Sequence, residues 1–236
     1  MSDLFKFIIL NARPAAGKSE VIHYLKSVPV AERRERFHVG DVVEFDDFLY
    51  VWEKFEEDDI CSKYGKERVW TDKKYYFKDH FLWNLFIEKI NLAVEKHLRD
   101  HPDFFKTSTA LVEFSRGGGN GFGEAYGYLS DRILKDAGIL YIDVSYEESV
   151  RKNQKRKRPG LADSVLFHSL PDDKMEFYYK TNDWGKLTAS NPTHIPVRNF
   201  RVPYSVLKNE PDVTDDPVKL GKALDQTFGT LWKGMR

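Results

Sequence analysis

Residues 12–19 read Ala12-Arg13-Pro14-Ala15-Ala16-Gly17-Lys18-Ser19. They follow the short apolar run Phe5-Lys6-Phe7-Ile8-Ile9-Leu10 and precede Val21, Ile22 and Leu25 at helical spacing. A buried strand, a tight turn ending in Gly-Lys-Ser and a helix N-terminus, in that order, make a phosphate-binding loop. Backbone N–H groups of such a turn, and those opening the helix behind it, converge on anionic oxygens. Gly17 lets the backbone approach phosphate without a Cβ clash, Lys18 adds a point charge, and the Ser19 hydroxyl suits Mg²⁺. Ala12 stands where such loops usually carry glycine, and a small residue still fits the turn. On this reading Ala12, Arg13, Ala15, Ala16, Gly17, Lys18, Ser19 and Glu20 surround nucleotide phosphates, with ATP and Mg²⁺ as the expected cofactors.

Outward from the loop, strand-like and helix-like segments alternate. Strands are expected within Phe37–Phe45, at Thr109–Phe114, at Ile139–Val144 and around Tyr204–Leu207. Helices are expected over Asp46–Ile60, from an Asp72 cap to about Arg99, over Glu124–Lys135, over the basic stretch Arg151–Arg158, and from Pro217 to near Trp232. Ser145 with Glu148 forms a capping box. The alternation implies a three-layer α/β/α domain with a mostly parallel, five-stranded sheet. One domain over 1–236 is the simplest organisation, with 146–190 as a helical lid.

Composition narrows the function classes. Lys+Arg and Asp+Glu balance at 37 each, which argues against extended nucleic-acid binding. The single cysteine, Cys61, excludes an internal disulfide and fits a reducing, cytoplasmic setting. Phe5–Leu10 is too short to span a membrane. On the phosphate-loop reading the expected partner is a small-molecule phosphoryl acceptor, and monomer and homodimer both stay open.

Three further stretches resemble the small-molecule P-loop kinases of the nucleoside- and nucleotide-kinase type, with their adenylate-kinase-like core and lid. Glu44-Phe45-Asp46-Asp47-Phe48 is similar to the acidic motif that such enzymes place after the second strand. The resemblance implies that Asp46, or failing that Asp47, orients the acceptor hydroxyl and takes its proton. Val112-Glu113-Phe114-Ser115-Arg116 implies a Mg²⁺-holding acid at Glu113, beside Ser19, and a substrate-gripping Arg116. Arg151 to Arg158 resembles a lid helix whose arginines, here Arg156 and Arg158 with Arg151 as the alternative, close over the transferring group. Asn209, after the last strand, is expected against the nucleotide base, and His168 beyond the lid is a further candidate near substrate. The glycines of 117–123 suit close backbone approach or a hinge. Together these imply an ATP-dependent kinase. A nucleotide hydrolase, a non-catalytic nucleotide-binding module and a sugar-nucleotide kinase similar to zeta-type toxins are the alternatives. Asn209-Glu210-Pro211-Asp212 lacks the lysine of a guanine motif.

Overall fold

The computed structural model describes residues 3–156 and 169–236. Arg158 and His168 therefore lie outside the described residues. The first strand, β1 (Phe7–Ala12), is buried on both faces, as its unbroken apolar run requires. It leads through the phosphate loop into α1 (Lys18–Ser27), followed by α2 (Val30–Phe37), β2 (Asp41–Asp46) and α3 (Phe48–Lys63). Then come α4 (Leu82–Asp100), β3 (Ser108–Phe114), α5 (Phe122–Tyr128), α6 (Asp131–Asp136), β4 (Ala137–Asp143) and α7 (Tyr146–Arg156). The chain ends with α8 (Asp172–Tyr179), α9 (Trp184–Thr188), β5 (His194–Val197), β6 (Phe200–Lys208) and α10 (Pro217–Gly234).

The strands form a sheet in the order β2-β3-β1-β4-β6-β5. All neighbouring pairs are parallel except β5 with β6. The sheet thus has six strands among the described residues rather than five. The extra one is a hairpin arm at the edge, where Arg198 (φ 51°) and Asn199 turn the chain back between Val197 and Phe200. Strand alternation distributes β1 between two cores. Phe7 and Ile9 pack with Ile87, Ile90, Phe122 and Ile133 beneath α4, α5 and α6. Ile8 and Leu10 pack with Val21, Leu25, Leu224 and Phe228 beneath α1 and α10. This is the three-layer α/β/α arrangement expected.

Other expectations needed revision. The sequence shows no sign of α2, which begins directly after Pro29, the residue at its N-cap. Asp72 caps no long helix. Its carboxylate accepts from Lys74 N and Tyr76 N in a local turn, and α4 begins at Leu82. The expected helix Glu124–Lys135 is two helices broken at Leu129 and Ser130, whose backbones are extended. Gly138, which reads in the sequence as the close of that helix, lies inside β4, where a Cβ would stand 3.0 Å from Leu231 of α10. The capping box is half made: Ser145 Oγ accepts from Glu148 N, while the Glu148 carboxylate pairs with Arg151.

Phe228 is fully buried and packs against Phe5 and Phe37. Phe228→Ala should cost about 3–5 kcal/mol through lost burial and the cavity left behind. Urea unfolding at neutral pH checks this, with the midpoint falling and the slope unchanged.

Candidate active site at the phosphate loop

In a parallel sheet, a crevice forms at the carboxyl ends of the strands, and β1, β2 and β3 deliver their last residues to one. The loop between β1 and α1 is bent by two residues of positive φ, Ala15 (56°) and Gly17 (114°). Gly17 also occupies the N-cap position of α1, so no side chain caps the first turn of that helix. Its N–H groups are left for an anion, which is the fit that a nucleotide's phosphates require.

The loop is held from behind. Asn209, at the end of β6, is fully buried and donates through Nδ2 to Ala16 O at 2.8 Å. Its Oδ1 accepts from Val213 N at 2.7 Å. Both ends of the amide are committed to the protein, so Asn209 acts here as a brace for the loop rather than as a contact for a base. Ser149 of α7 donates to Pro14 O at 2.6 Å. Arg13 points away from the loop and donates to the carbonyl of Tyr179, at the end of α8.

Lys18 lies over the end of β3. Its Nζ donates to Ser115 Oγ at 2.6 Å and stands 3.7 Å from Glu113 Oε1. Glu113 is the register partner of Asp46 across β2 and β3. Burial pushes the Asp46 carboxyl up to about 8, reinforced by the negative charges of Glu113 and Asp47 and opposed by the Phe48 N–H and Lys18. Burial likewise raises Glu113, with Lys18 opposing. The structure therefore gathers Lys18, Asp46 and Glu113. Ser19 opens α1 one residue beyond Lys18. Among the described residues no set of three or more His, Cys, Asp and Glu side chains is grouped to hold a metal alone. Mg²⁺ needs no such set, because it typically takes one or two protein ligands and completes its shell with phosphate oxygens and water.

Asp47 and Arg116 have a different place. Asp47 is buried and receives Arg116 Nη1, which also donates to Ser115 O at 2.8 Å. Arg116 Nη2 donates to Trp83 O at 3.1 Å. The Arg116 side chain is 1% exposed, so the residue expected to grip substrate is instead a strut joining the ends of β2 and β3 to α4. Its length made burial unexpected, and only the buried Asp47 carboxylate makes it tolerable. Arg156, the expected lid cation, pairs with the start of α1: its Nη2 stands 3.1 Å from Glu20 Oε1, one residue past Ser19. Sequence reasoning missed Ser115 and Ser149. Ser115 falls inside a stretch already singled out, whereas nothing local marks Ser149.

The raised Asp46 carboxyl has a consequence for stability. A carboxyl that binds its proton more tightly when folded stabilises the fold at low pH. That contribution is present below about pH 4 and is lost as pH rises to about 8. Asp46→Asn lacks the titration. Its stability relative to wild type should therefore rise between pH 5 and 8.5 in paired urea melts. Parallel pH profiles for the two proteins would contradict the assignment.

No protein-family model matches the chain, and no curated protein matches it. Among solved structures, the chain is similar to a gluconokinase from Sinorhizobium meliloti 1021, with 11% identity over 98% of each chain and a TM-score of 0.48. A sugar kinase from Janibacter sp. HTCC2649 shows 10% identity over 97% of each chain and a TM-score of 0.44. A Thermus thermophilus protein shows 13% identity over 97% of this chain and 98% of its own, with a TM-score of 0.49. At this level of likeness the neighbours do not indicate what this chain acts on.

Proposed function

We propose that the chain is an ATP-dependent small-molecule kinase, transferring the γ-phosphoryl group to an acceptor hydroxyl. The observation that carries this reading is Asp46, a carboxyl of raised basicity, beside Glu113 and the phosphate-loop Lys18. Carboxyls whose basicity is raised by burial and like charges beside a cation cluster where proton transfer is carried out.

On this reading the loop N–H groups and the first turn of α1 bind the β- and γ-phosphates, and Lys18 leaves Ser115 to neutralise them. Ser19 Oγ and the Glu113 carboxylate would hold Mg²⁺, which when bound neutralises charge on the phosphates. Asp46 accepts the proton of the acceptor hydroxyl as its oxygen bonds to the γ-phosphorus and the bridging bond to the β-phosphate breaks. Asp47 and Arg116 keep Asp46 at the end of β2. Arg156, held over the first turn of α1 by Glu20, is the cation assigned to the transferring group.

The test is ADP release from Mg-ATP across a panel of hydroxyl compounds. Lys18→Ala should lower acceptor-dependent release by roughly 1,000-fold or more, as expected when the phosphate clamp is removed. Asp46→Asn should lower kcat by roughly 100- to 10,000-fold with the KM for ATP nearly unchanged. Acceptor-independent ADP release that survives Asp46→Asn would identify a hydrolase instead. Because the base must be ionised, wild-type kcat/KM for the acceptor, which reports the ligand-free enzyme, should rise with pH through about 8 and level off above it.

A further inference from the structure

Ser115, which holds Lys18, is also part of the wall of a cavity of about 250 Å³ lined by His80, Trp83, Arg116, Asn120 and Tyr178. The cavity thus adjoins the place where the kinase reading puts the γ-phosphate. It is smaller than the roughly 300–1,000 Å³ of sites for drug-sized ligands, and so suits a compact molecule. Trp83 and Tyr178, with Phe177 and Tyr179 beside them, give it apolar walls.

The charges along this wall are already balanced. Arg116 is paired with Asp47, and its guanidinium also donates to two backbone carbonyls. His80 Nε2 stands 3.8 Å from Glu124 Oε2, so an acid already faces that ring. An anionic group entering would lose its water without gaining an unpaired cation among the described lining residues, a strongly unfavourable exchange. Two buried polar atoms of the lining residues lack a protein partner, Arg116 Nε and Asn120 Oδ1, and lie behind the cavity surface. The first is a donor and the second an acceptor. Asn120 is 3% exposed, and its Nδ2 is fixed on Asn84 Oδ1 at 3.1 Å. Asn84 in turn donates to Glu124 Oε1 at 2.7 Å. Hydroxyl groups donate and accept at once, and the apolar face of a ring packs well on aromatic walls.

We propose that this cavity seats the acceptor, and that the acceptor is an uncharged, hydroxylated ring compound the size of one sugar or nucleoside rather than its phosphorylated form. The inference rests on the kinase reading for the word acceptor, and on the cavity alone for the ligand's chemistry.

The experiment pairs neutral monosaccharides, cyclic polyols and nucleosides with their monophosphates, using the full chain. Binding is read from Trp83 fluorescence, with Trp83→Phe as the blank, and turnover from ADP release with Mg-ATP. At least one neutral compound should quench the Trp83 signal and stimulate ADP release, with its phosphate at least 100-fold weaker in both. The sugar and nucleoside arms decide between those two sources. Asn120→Ala should raise the KM for that acceptor at least tenfold and leave the KM for ATP unchanged. Preference for phosphorylated members, or no binding by any neutral compound, would overturn the proposal. ADP release with phosphorylated acceptors alone would do so while upholding the kinase reading. Neutral compounds that bind at Trp83 without ADP release would support the ligand chemistry and overturn phosphoryl transfer.

Discussion

The peptide unit between Ala16 and Gly17 sets the geometry of the site. Its carbonyl is turned back into the protein, where the Asn209 amide donates to it at 2.8 Å. In a trans peptide the C=O and N–H point in opposite directions, so fixing the carbonyl inward aims the Gly17 N–H outward, into the open side of the loop. Two independent constraints then require glycine at position 17. Its φ of 114° is one that L side chains rarely adopt. A Cβ there would also stand 2.9 Å from Asn209 Nδ2 and from Thr214 Cγ2. The brace is anchored in its turn, because Asn209 N donates to Asp143 O at the end of β4. The phosphate loop is thereby referenced to the ends of the sheet strands and not to its own flexible turn.

Charge in the crevice is distributed by the same rule of partnership. Four acidic residues, Glu44, Asp46, Asp47 and Glu113, end or flank β2 and β3, and three of them are buried or half-buried. Asp47 receives Arg116 Nη1 and Glu113 lies beside Lys18. Asp46 has a backbone N–H from Phe48 and, among the described residues, no ion pair of its own, so burial and its neighbours raise it. The separation of two adjacent aspartates into a braced one and a basic one follows from where the strand stops: Asp46 is the last residue of β2, whereas Asp47 has already left it in helical backbone as the N-cap of α3. That is how pairs of like groups acquire different roles.

Much of this was legible in the sequence where the signal is local. The phosphate loop, its strand and its helix are specified within residues 5–27, and the acidic strand ends follow at their expected places. What was not legible depended on distant partners. α2 buries only Arg33 and Phe37, so it carries almost no apolar period. The sixth strand exists because β6 offers an edge to β5, a pairing that four residues cannot announce. Arg116 and Asn209 were legible as important positions but not as buried ones. Their partners, Asp47, Trp83 and Ala16, come from segments 33 to 193 residues away.

The glycine-rich loop after β3 takes its meaning from α8. A Cβ at Gly117 would lie 2.6 Å from Thr181 O and 2.7 Å from Tyr178 O, so the two backbones cross with no room for a side chain. Gly118 N donates to Thr181 O at 2.9 Å across the same crossing. Arg13, from the phosphate loop, donates to Tyr179 O two residues earlier. The end of α8 is therefore gripped from one side by the phosphate loop and from the other by the glycine loop that borders the cavity. Backbone carbonyls cannot rotate aside as a flexible side chain can, so widening the crossing would shift the anchor of Arg13 as well. The glycines are thus better explained as a close backbone seam than as a hinge. Because that seam lies between the phosphate loop and the cavity, anything that moves the end of α8 must reshape both at once.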